Sequence, residues 1–166
     1  MRGPNSRAGE RARVGVHRDP KGYVGFMALY WCAFRGLCSP ETPRIADLLV
    51  AAGADPNAAT NTGETVLCLA VDSGNNVLVR QLLCHGSDPN LRSNGVTPLM
   101  RAAASGSEEL VRILLDAGAE WDAVDGRFRA YDYAMHYGHD NIARLLAAAE
   151  LAVAPEPVQP RSVDVP

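Results

Sequence analysis

The side chains best suited to bind a metal are Cys68 and the adjacent pair Cys84 and His85. Thiolate and imidazole groups are the usual ligands of zinc, which takes four of them in a structural site. No fourth ligand lies at a familiar spacing, and the cysteines form no C-x-x-C pair. We therefore expect these residues to pack in the fold, with no metal and no cofactor bound.

Catalysis would require a nucleophile, a base and a group that orients the base, all directed into one pocket. The sequence contains no glycine-rich phosphate loop, no H-E-x-x-H, no G-x-S-x-G and no aspartate-rich calcium loop of the usual spacing. We therefore expect no enzymatic activity, and a function carried by the surface of the fold.

The composition is typical of a soluble globular domain, with 166 residues of which 47% are hydrophobic and 21% charged. No apolar stretch approaches the roughly 18 residues that a membrane-spanning helix needs. Residues 1–22 are basic, whereas the rest of the chain is acidic. A nucleic-acid surface needs a basic stripe. We therefore expect neither a membrane nor a nucleic acid as partner.

The basic segment 1–22 lacks the apolar run and the cleavage site of a secretory signal. A transit peptide is the alternative interpretation, but Glu10 and the scattered glycines and prolines disfavour the amphipathic helix that it needs. We expect a disordered, solvated tail. Because no export signal accompanies the cysteines, we expect reduced thiols and a cytoplasmic or nuclear protein.

A repeat of 32 or 33 residues organises the remaining sequence. Gly-Glu-Thr-Val-Leu at 63–67 recurs as Gly-Val-Thr-Pro-Leu at 95–99. A second series, Gly53, Gly86 and Gly118, follows a pair of leucines each time. Equal spacing of both series indicates one structural unit that is used several times.

The third repeat shows how one unit should fold. Thr97 can cap a helix through its hydroxyl, and Pro98 suits the first helical position. This helix should end at Gly106, because glycine adopts the left-handed conformation at little cost. A second helix with apolar residues at helical spacing should then run to Gly118. Helices this short are marginal alone, so the units must stack.

The T-P-L segment, the alanines and glycine after it, the V-x-x-L-L helix and the G-A-D-x-N turn together resemble the ankyrin repeat. The resemblance implies an all-α solenoid of stacked helix-turn-helix units with short β-hairpin-like fingers. Its ankyrin-repeat domain would span residues 23–150. The four repeats would cover about 23–57, 58–90, 91–122 and 123–150, and the Pro-rich segment 151–166 is expected to be a disordered tail.

Repeats one and four are degenerate. Between the glycines at 36 and 53, repeat one is five residues longer than the later repeats, which predicts a loop around residues 38–43. In repeat four, Tyr131 stands where leucine is usual, and Arg129 with Ala130 replaces the Thr-Pro cap. We expect repeat four to close the stack, with its aromatic side chains covering the core.

The resemblance also implies where a partner binds, because ankyrin proteins usually dock partners on the concave side, formed by the finger tips and the first helices. Tryptophan and tyrosine are common interface anchors. The predicted contact residues are Phe26, Phe34 and Arg35 in repeat one; Asn61, Thr62, Glu64, Asp72 and Ser73 in repeat two; Ser93, Asn94, Val96, Ala104 and Ser105 in repeat three; Trp121 in the turn that follows; and Asp125, Phe128, His136 and Tyr137 in repeat four.

Asn57 and Asn90 occupy matching positions in the L-x-x-G-x-D-x-N pattern. We expect their side chains to bond the backbone of the turn. Similar asparagines in ankyrin repeats can be hydroxylated by an iron-dependent oxygenase. The resemblance therefore also implies that Asn57 and Asn90 are candidate sites of hydroxylation.

The leading functional hypothesis is a monomeric adaptor or scaffold that binds another protein on the concave face. One alternative is a small inhibitor or regulator of an enzyme, since ankyrin inhibitors of cyclin-dependent kinases are similar in size. Another is that the chain is a fragment or short isoform of a larger multidomain protein. The residues do not identify the partner.

Overall fold

The computed structural model describes residues 28–31, 33 and 42–153. The predicted tail at 1–22, residues 154–166 of the predicted C-terminal tail and most of the predicted loop at 38–43 lie outside these residues. Residues 28–31 and 33 are helical. The helices that follow are α1 (Thr42–Ala51), α2 (Val66–Asp72), α3 (Asn76–Cys84), α4 (Pro98–Ser105), α5 (Glu108–Asp116), α6 (Ala130–His136) and α7 (Asp140–Val153). In this part of the chain, no helix has the length and apolarity required to cross a membrane.

The first helices of repeats two and three begin where the sequence predicts. Thr65 and Thr97 each accept a hydrogen bond from the backbone N–H three residues on, at 3.2 and 3.3 Å. Arg129, at the same position in repeat four, makes no such cap through its side chain. Its backbone N–H instead donates to Asp132 Oδ2 at 2.8 Å. The last repeat therefore retains only half of the capping arrangement.

Left-handed glycines end the helices, and Gly106 has a further constraint. Its φ is +78°, which disfavours any side chain. A Cβ at this position would also lie only 2.6 Å from Cε1 of His139 in the next repeat. The His139 ring is held there by a 3.1 Å hydrogen bond between Nε2 and the Ala104 carbonyl. Glycine thus lets repeat four approach repeat three, and His139 links the two repeats.

The helices form two rows. The first helices α2, α4 and α6 pack against one another in sequence, and so do the second helices α1, α3, α5 and α7. Within each of the last three repeats, the two helices also pack together. The core between the rows is apolar, and its largest fully buried side chains include Leu78, Leu82, Leu99, Leu110 and Leu114. Stacking therefore supplies the burial that no single hairpin can provide.

Helix α7 is longer than the sequence boundary predicts. The repeat was expected to end at Glu150 and the disordered tail to begin at residue 151, but the helix continues to Val153, so residues 151–153 are a correction. The segment 147–153 contains good helix formers and no breaker before Pro155. The end of the repeat pattern therefore does not end the helix.

The fingers are tight turns between repeats, at residues 59–65, 93–96 and 124–129. Each is closed by one isolated antiparallel bridge, between Ala59 and Thr65, Ser93 and Val96, and Val124 and Arg129. No longer strand occurs among the described residues. The architecture is thus the all-α solenoid with hairpin-like fingers that the resemblance implied.

As expected, the Asn57 and Asn90 side chains form hydrogen bonds with turn backbone. The bonded turn is that of the next repeat and not their own. The Asn57 side chain donates to the Gly86 carbonyl at 3.0 Å and accepts from the Asp88 N–H at 2.7 Å. Asn90 makes the matching pair with the Gly118 carbonyl at 3.2 Å and the Glu120 N–H at 2.8 Å. Each asparagine therefore ties its own turn to the next repeat.

Replacing Asn57 by alanine should lower the free energy of unfolding by about 1 kcal/mol, because two hydrogen bonds between repeats are lost at a partly exposed site. Asn61→Ala, at an exposed finger tip, is the control and should change it by less than about 0.5 kcal/mol. Urea denaturation of both variants measures the difference. Equal stabilities for the two variants would show that the bonds between turns contribute nothing.

Candidate partner-binding surface

Arg101 lies at the centre of the face where the fingers meet the first helices, which we call the groove. Its guanidinium bonds Asp72 of repeat two, and Nη2 lies 3.3 Å from Glu64 Oε1 and 3.1 Å from Ser93 Oγ. Glu64 also accepts from Asn94 Nδ2 at 2.9 Å. Only 19% of the Arg101 side chain is exposed. One cation therefore holds two fingers and two helices in place.

The acidic groups around Arg101 outnumber it. Burial works to lower the pKa of Arg101, but Asp72 and Glu64 raise it, so the guanidinium stays charged. Glu64 and Asp72 share this one cation. Asp72 is exposed, so it can still accept a hydrogen bond from a partner.

The last finger is ordered by Asp125. Its Oδ1 accepts from the backbone N–H groups of Arg127 and Phe128 at 3.0 and 2.9 Å, and its Oδ2 accepts from the Tyr133 hydroxyl. The Phe128 N–H and then Tyr133 lower the pKa of Asp125 to about 2. The bond to Asp125 in turn raises the pKa of Tyr133 to about 12. Both groups therefore keep their protonation states, and their hydrogen bond, at neutral pH.

Three aromatic side chains lie at this end of the groove. The rings of Phe128 and Tyr133 meet edge to face, with centroids 6.3 Å apart. Tyr137 is the residue directly after α6 and follows Tyr133 by four positions, about one helical turn. We call Phe128, Tyr133 and Tyr137 the aromatic strip. Phe128 and Tyr137 are exposed, so the strip presents apolar area at a low cost in side-chain entropy.

Most of the predicted contact residues that the structure describes are at least partly accessible. Phe26, Phe34 and Arg35 lie outside the described residues. The exposed members are Asn61, Thr62, Asp72, Asn94, Ser105, Phe128, His136 and Tyr137, and the half-buried ones are Glu64, Ser73, Val96, Ala104, Trp121 and Asp125. Trp121 packs against the hydrophobic core, which fits a core-covering role. Its role as a contact residue stays a prediction.

Ser93 is a correction, because its side chain is 0% exposed and cannot meet a partner. The turn of the second finger directs its hydroxyl inward, where it accepts from Arg101. The prediction failed because finger residues were assigned to the surface by position alone. Ser93 instead helps to position Arg101.

Arg101 and Tyr133 are the groove residues that the sequence prediction omitted. Together with Leu69 they occupy the same position of successive first helices, 32 residues apart. The contact residues predicted near the end of each first helix were Asp72, Ser73 and the residues at the same positions of the later repeats. The sequence does contain a signal for Arg101, because it is the only charged residue in the helix Pro98–Ser105, whose other residues are apolar or small.

The residues considered as metal ligands occupy different environments. Cys68 is buried and Cys84 is exposed. Burial raises the pKa of the Cys68 thiol, so it behaves as a small apolar group. His85 Nε2 lies 2.6 Å from Asp47 Oδ1 of the preceding repeat. The described residues contain no group of three or more His, Cys, Asp or Glu side chains that could hold a metal ion.

Several proteins with recorded functions are similar to this chain. Cyclin-dependent kinase 4 inhibitor B of Rattus norvegicus is 36% identical over 104 residues, which are 61% of this chain and 79% of the relative. Glycerophosphocholine phosphodiesterase gde1 of Schizosaccharomyces pombe is 34% identical over 124 residues, or 73% of this chain. Potassium channel AKT1 of Oryza sativa subsp. japonica is 40% identical over 98 residues, or 57% of this chain. The matches span only 11% of the phosphodiesterase and 10% of the channel.

The family described as "Ankyrin repeats (3 copies)" matches residues 29–125, which is more than half of the chain. Beyond this match, the hairpin of α6 and α7 packs on α4 and α5 and extends the stack. The capping threonines, the left-handed glycines, the two rows of helices and the bridged fingers agree with the match. The chain belongs to the ankyrin-repeat family.

Proposed function

We propose that the protein is a non-enzymatic adaptor or scaffold that binds a partner protein in the groove of repeats two to four. The observation that carries the proposal is the ordering of the groove by its own contacts. Arg101 is held by Glu64 and Asp72, and the last finger is held by Asp125 and Tyr133. A surface whose side chains are already ordered loses less entropy on association.

The chemistry of the groove changes along the stack. Repeats two and three present polar and acidic groups, including Asn61, Thr62 and Asp72, whereas repeat four presents the aromatic strip. Interfaces commonly combine aromatic anchors with a polar rim. We therefore expect the exposed aromatic residues, above all Tyr137, to contribute more to affinity than the polar positions.

The test is affinity purification from cells with mass spectrometry, comparing the wild type with the variant Asp72→Ala/Tyr137→Ala. Val77→Ala/Arg112→Ala is the matched control, since both residues are exposed on the second helices. Groove partners should be depleted at least several-fold from the first variant and retained by the control. Because Asp72 also bonds Arg101, Tyr137→Ala alone serves as a second variant. Identical protein sets with all variants would contradict the proposal.

A second candidate function is inhibition or regulation of an enzyme. It is favoured by the match to a protein named as an inhibitor of cyclin-dependent kinase 4, of which 79% is covered. An activity assay of purified cyclin-dependent kinases with and without this protein distinguishes the two. Inhibition that Tyr137→Ala relieves would support the regulator, and unchanged kinase activity at micromolar protein would exclude it for the kinases assayed.

A third candidate is that this chain is a fragment or short isoform of a larger multidomain protein, in which the ankyrin repeats form one module. The small shares of the phosphodiesterase and the channel that are matched favour this candidate. Immunoblotting of native cells tests it, because a main band much larger than 17.7 kDa would support a longer form.

Imaging of the same cells would test the expected cytoplasmic or nuclear location.

Hydroxylation of Asn57 and Asn90 is a separate proposal. Both side chains are partly accessible, and both bond the neighbouring turn through their amide groups. Mass spectrometry of the native protein would show a mass increase of one oxygen atom on the corresponding peptides. Only unmodified peptides would remove the proposal.

A further inference from the structure

The charged groups of the last finger are used unequally inside the protein. Residues 122–133 contain three aspartates and two arginines. Asp125 accepts hydrogen bonds from two backbone N–H groups and from the Tyr133 hydroxyl. An ionised carboxylate has room for about four such bonds. Most of the accepting capacity of Asp125 is therefore used within the finger and is not offered to a partner.

Arg129 is matched by two carboxylates. Its Nε lies 3.9 Å from Asp132 Oδ2, and its Nη1 lies 3.7 Å from Glu150 Oε1. Asp122 is exposed, but it precedes the bridge between Val124 and Arg129 that closes the finger, so it lies outside the loop. Within the loop itself, the charge that remains to be assigned is that of Arg127.

Arg127 is an exposed cation without a carboxylate partner in the part of the chain that the structure describes. Its guanidinium carbon lies 5.2 Å from the centroid of the Phe128 ring. This cation–π contact holds the guanidinium beside the aromatic strip, but it leaves the positive charge uncompensated and the N–H groups available as donors. Arg127 can therefore bind an anionic group of a partner.

A second guanidinium lies at the base of the same finger. Nη1 of the exposed Arg92 donates to the Gly95 carbonyl at 3.1 Å and to the Val124 carbonyl at 2.5 Å. Both acceptors are uncharged, so this cation also keeps its charge. The last finger thus has one arginine at its base and one at its tip.

The aromatic strip begins at the residue after Arg127. Phe128 and Tyr137 are 45% and 57% exposed, so an apolar side chain of a partner can pack on them. Repeat two offers the opposite chemistry, because residues 58–90 contain no aromatic side chain and the exposed Asp72 is already bonded to Arg101. The aromatic surface therefore adjoins an unpaired cation and not an unpaired anion, which favours a partner that combines apolar and acidic groups.

We propose that repeat four binds an acidic segment of the partner protein, with a carboxylate on Arg127 and a neighbouring aromatic or aliphatic side chain on the aromatic strip. The inference rests on the proposed function, because it gives the partner chemistry for the same groove. Arginine can bond a carboxylate with two parallel N–H groups. Since the ion pair is exposed, it contributes more to selectivity than to affinity, and the strip supplies most of the affinity.

Selection of random seven-residue peptides displayed on phage, with the full chain as the target, tests this preference. The wild type should enrich peptides that carry aspartate or glutamate within two positions of an aromatic residue or leucine. Arg127→Glu should enrich lysine or arginine there instead. Arg144→Glu is the matched charge reversal, since Arg144 is exposed on the second-helix row, and it should select the same acidic peptides as the wild type.

Fluorescence polarisation with the most enriched peptide then measures the two contacts separately. Arg127→Gln should weaken binding roughly two- to fivefold, as expected for an exposed ion pair. The same substitution should have no effect on a peptide whose carboxylate is replaced by the amide. Tyr137→Ala should weaken both peptides by about tenfold or more, because the aromatic contact does not depend on the charge.

Enrichment of basic or uncharged peptides by the wild type would overturn the proposal, and so would the same acidic peptides with Arg127→Glu. If such peptides still required Tyr137, the groove would remain a protein-binding surface and only the acidic preference would be lost. Peptides that bind Tyr137→Ala unchanged, or no enriched peptide at all, would also overturn it, and affinity purification of cellular partners would then decide the proposed function separately. Arg127 and Arg144 are exposed, so neither reversal should prevent folding.

Discussion

Leu114→Ala should lower the free energy of unfolding by about 2 to 5 kcal/mol. Leu114 is 0% exposed and lies on α5, which packs between α3 and α7. Truncation would remove apolar contacts on both sides and leave a cavity, because helices of neighbouring repeats cannot collapse around one site without moving together. Urea denaturation monitored by circular dichroism measures the change.

Leu48→Ala is the matched control, since this leucine lies on α1 with its side chain 65% exposed. It should change stability by less than about 0.5 kcal/mol. Hydrogen exchange adds a second readout. In a stack in which each repeat contacts only its neighbours, Leu114→Ala should reduce protection most in repeats three and four. A loss similar to that of Leu48→Ala would mean that burial at α5 does not stabilise the stack.

Arg101→Ala should have the second largest effect, a loss of about 2 kcal/mol, because hydrogen bonds to charged groups contribute about 1.5 to 3 kcal/mol each and partial exposure of the partners reduces this. The substitution leaves Glu64 and Asp72 without the cation that they share. It also leaves the buried hydroxyl of Ser93 without its arginine partner. Thermal and urea denaturation measure the loss.

Arg112→Ala provides the comparison, because Arg112 makes an exposed ion pair with Glu108 within one helix. Such a pair contributes at most about 0.5 kcal/mol. Arg101→Lys keeps the charge but not the planar fork, so its stability should lie between those of the wild type and Arg101→Ala. If Arg101→Ala were no more destabilising than Arg112→Ala, the guanidinium would not be what holds the two fingers.

The local signals in the sequence predicted the helices well. Thr97, Pro98 and Gly106 act on the nearest turn of backbone, so their effects can be read without knowing what lies beside them. The observed helix Pro98–Ser105 begins and ends at these residues. The prediction was less accurate at α7, which continues past Glu150 to Val153, because the end of a repeat pattern is not itself a helix stop.

The candidate site was predicted less well than the fold. Spacing placed Asp72 and Tyr137 at exposed positions, since every repeat uses the same faces. It could not show that Ser93 faces inward or that Arg101 bonds two acidic residues of the preceding repeat. The contacts of Arg101 with Glu64 and Asp72 join residues separated by about one repeat, and nothing in a local pattern specifies that they meet.

By itself the sequence determined the repeating unit, the helix boundaries in repeats two and three and the need to stack, because caps, glycines and apolar periodicity act over a few residues. Only the tertiary structure decided which polar groups are used within the protein and which face outward. The bonds of Asn57 to the next turn and of Arg101 to Glu64 depend on the separation of neighbouring repeats. That separation exists only after the helices have packed, since the buried side chains between the rows set it.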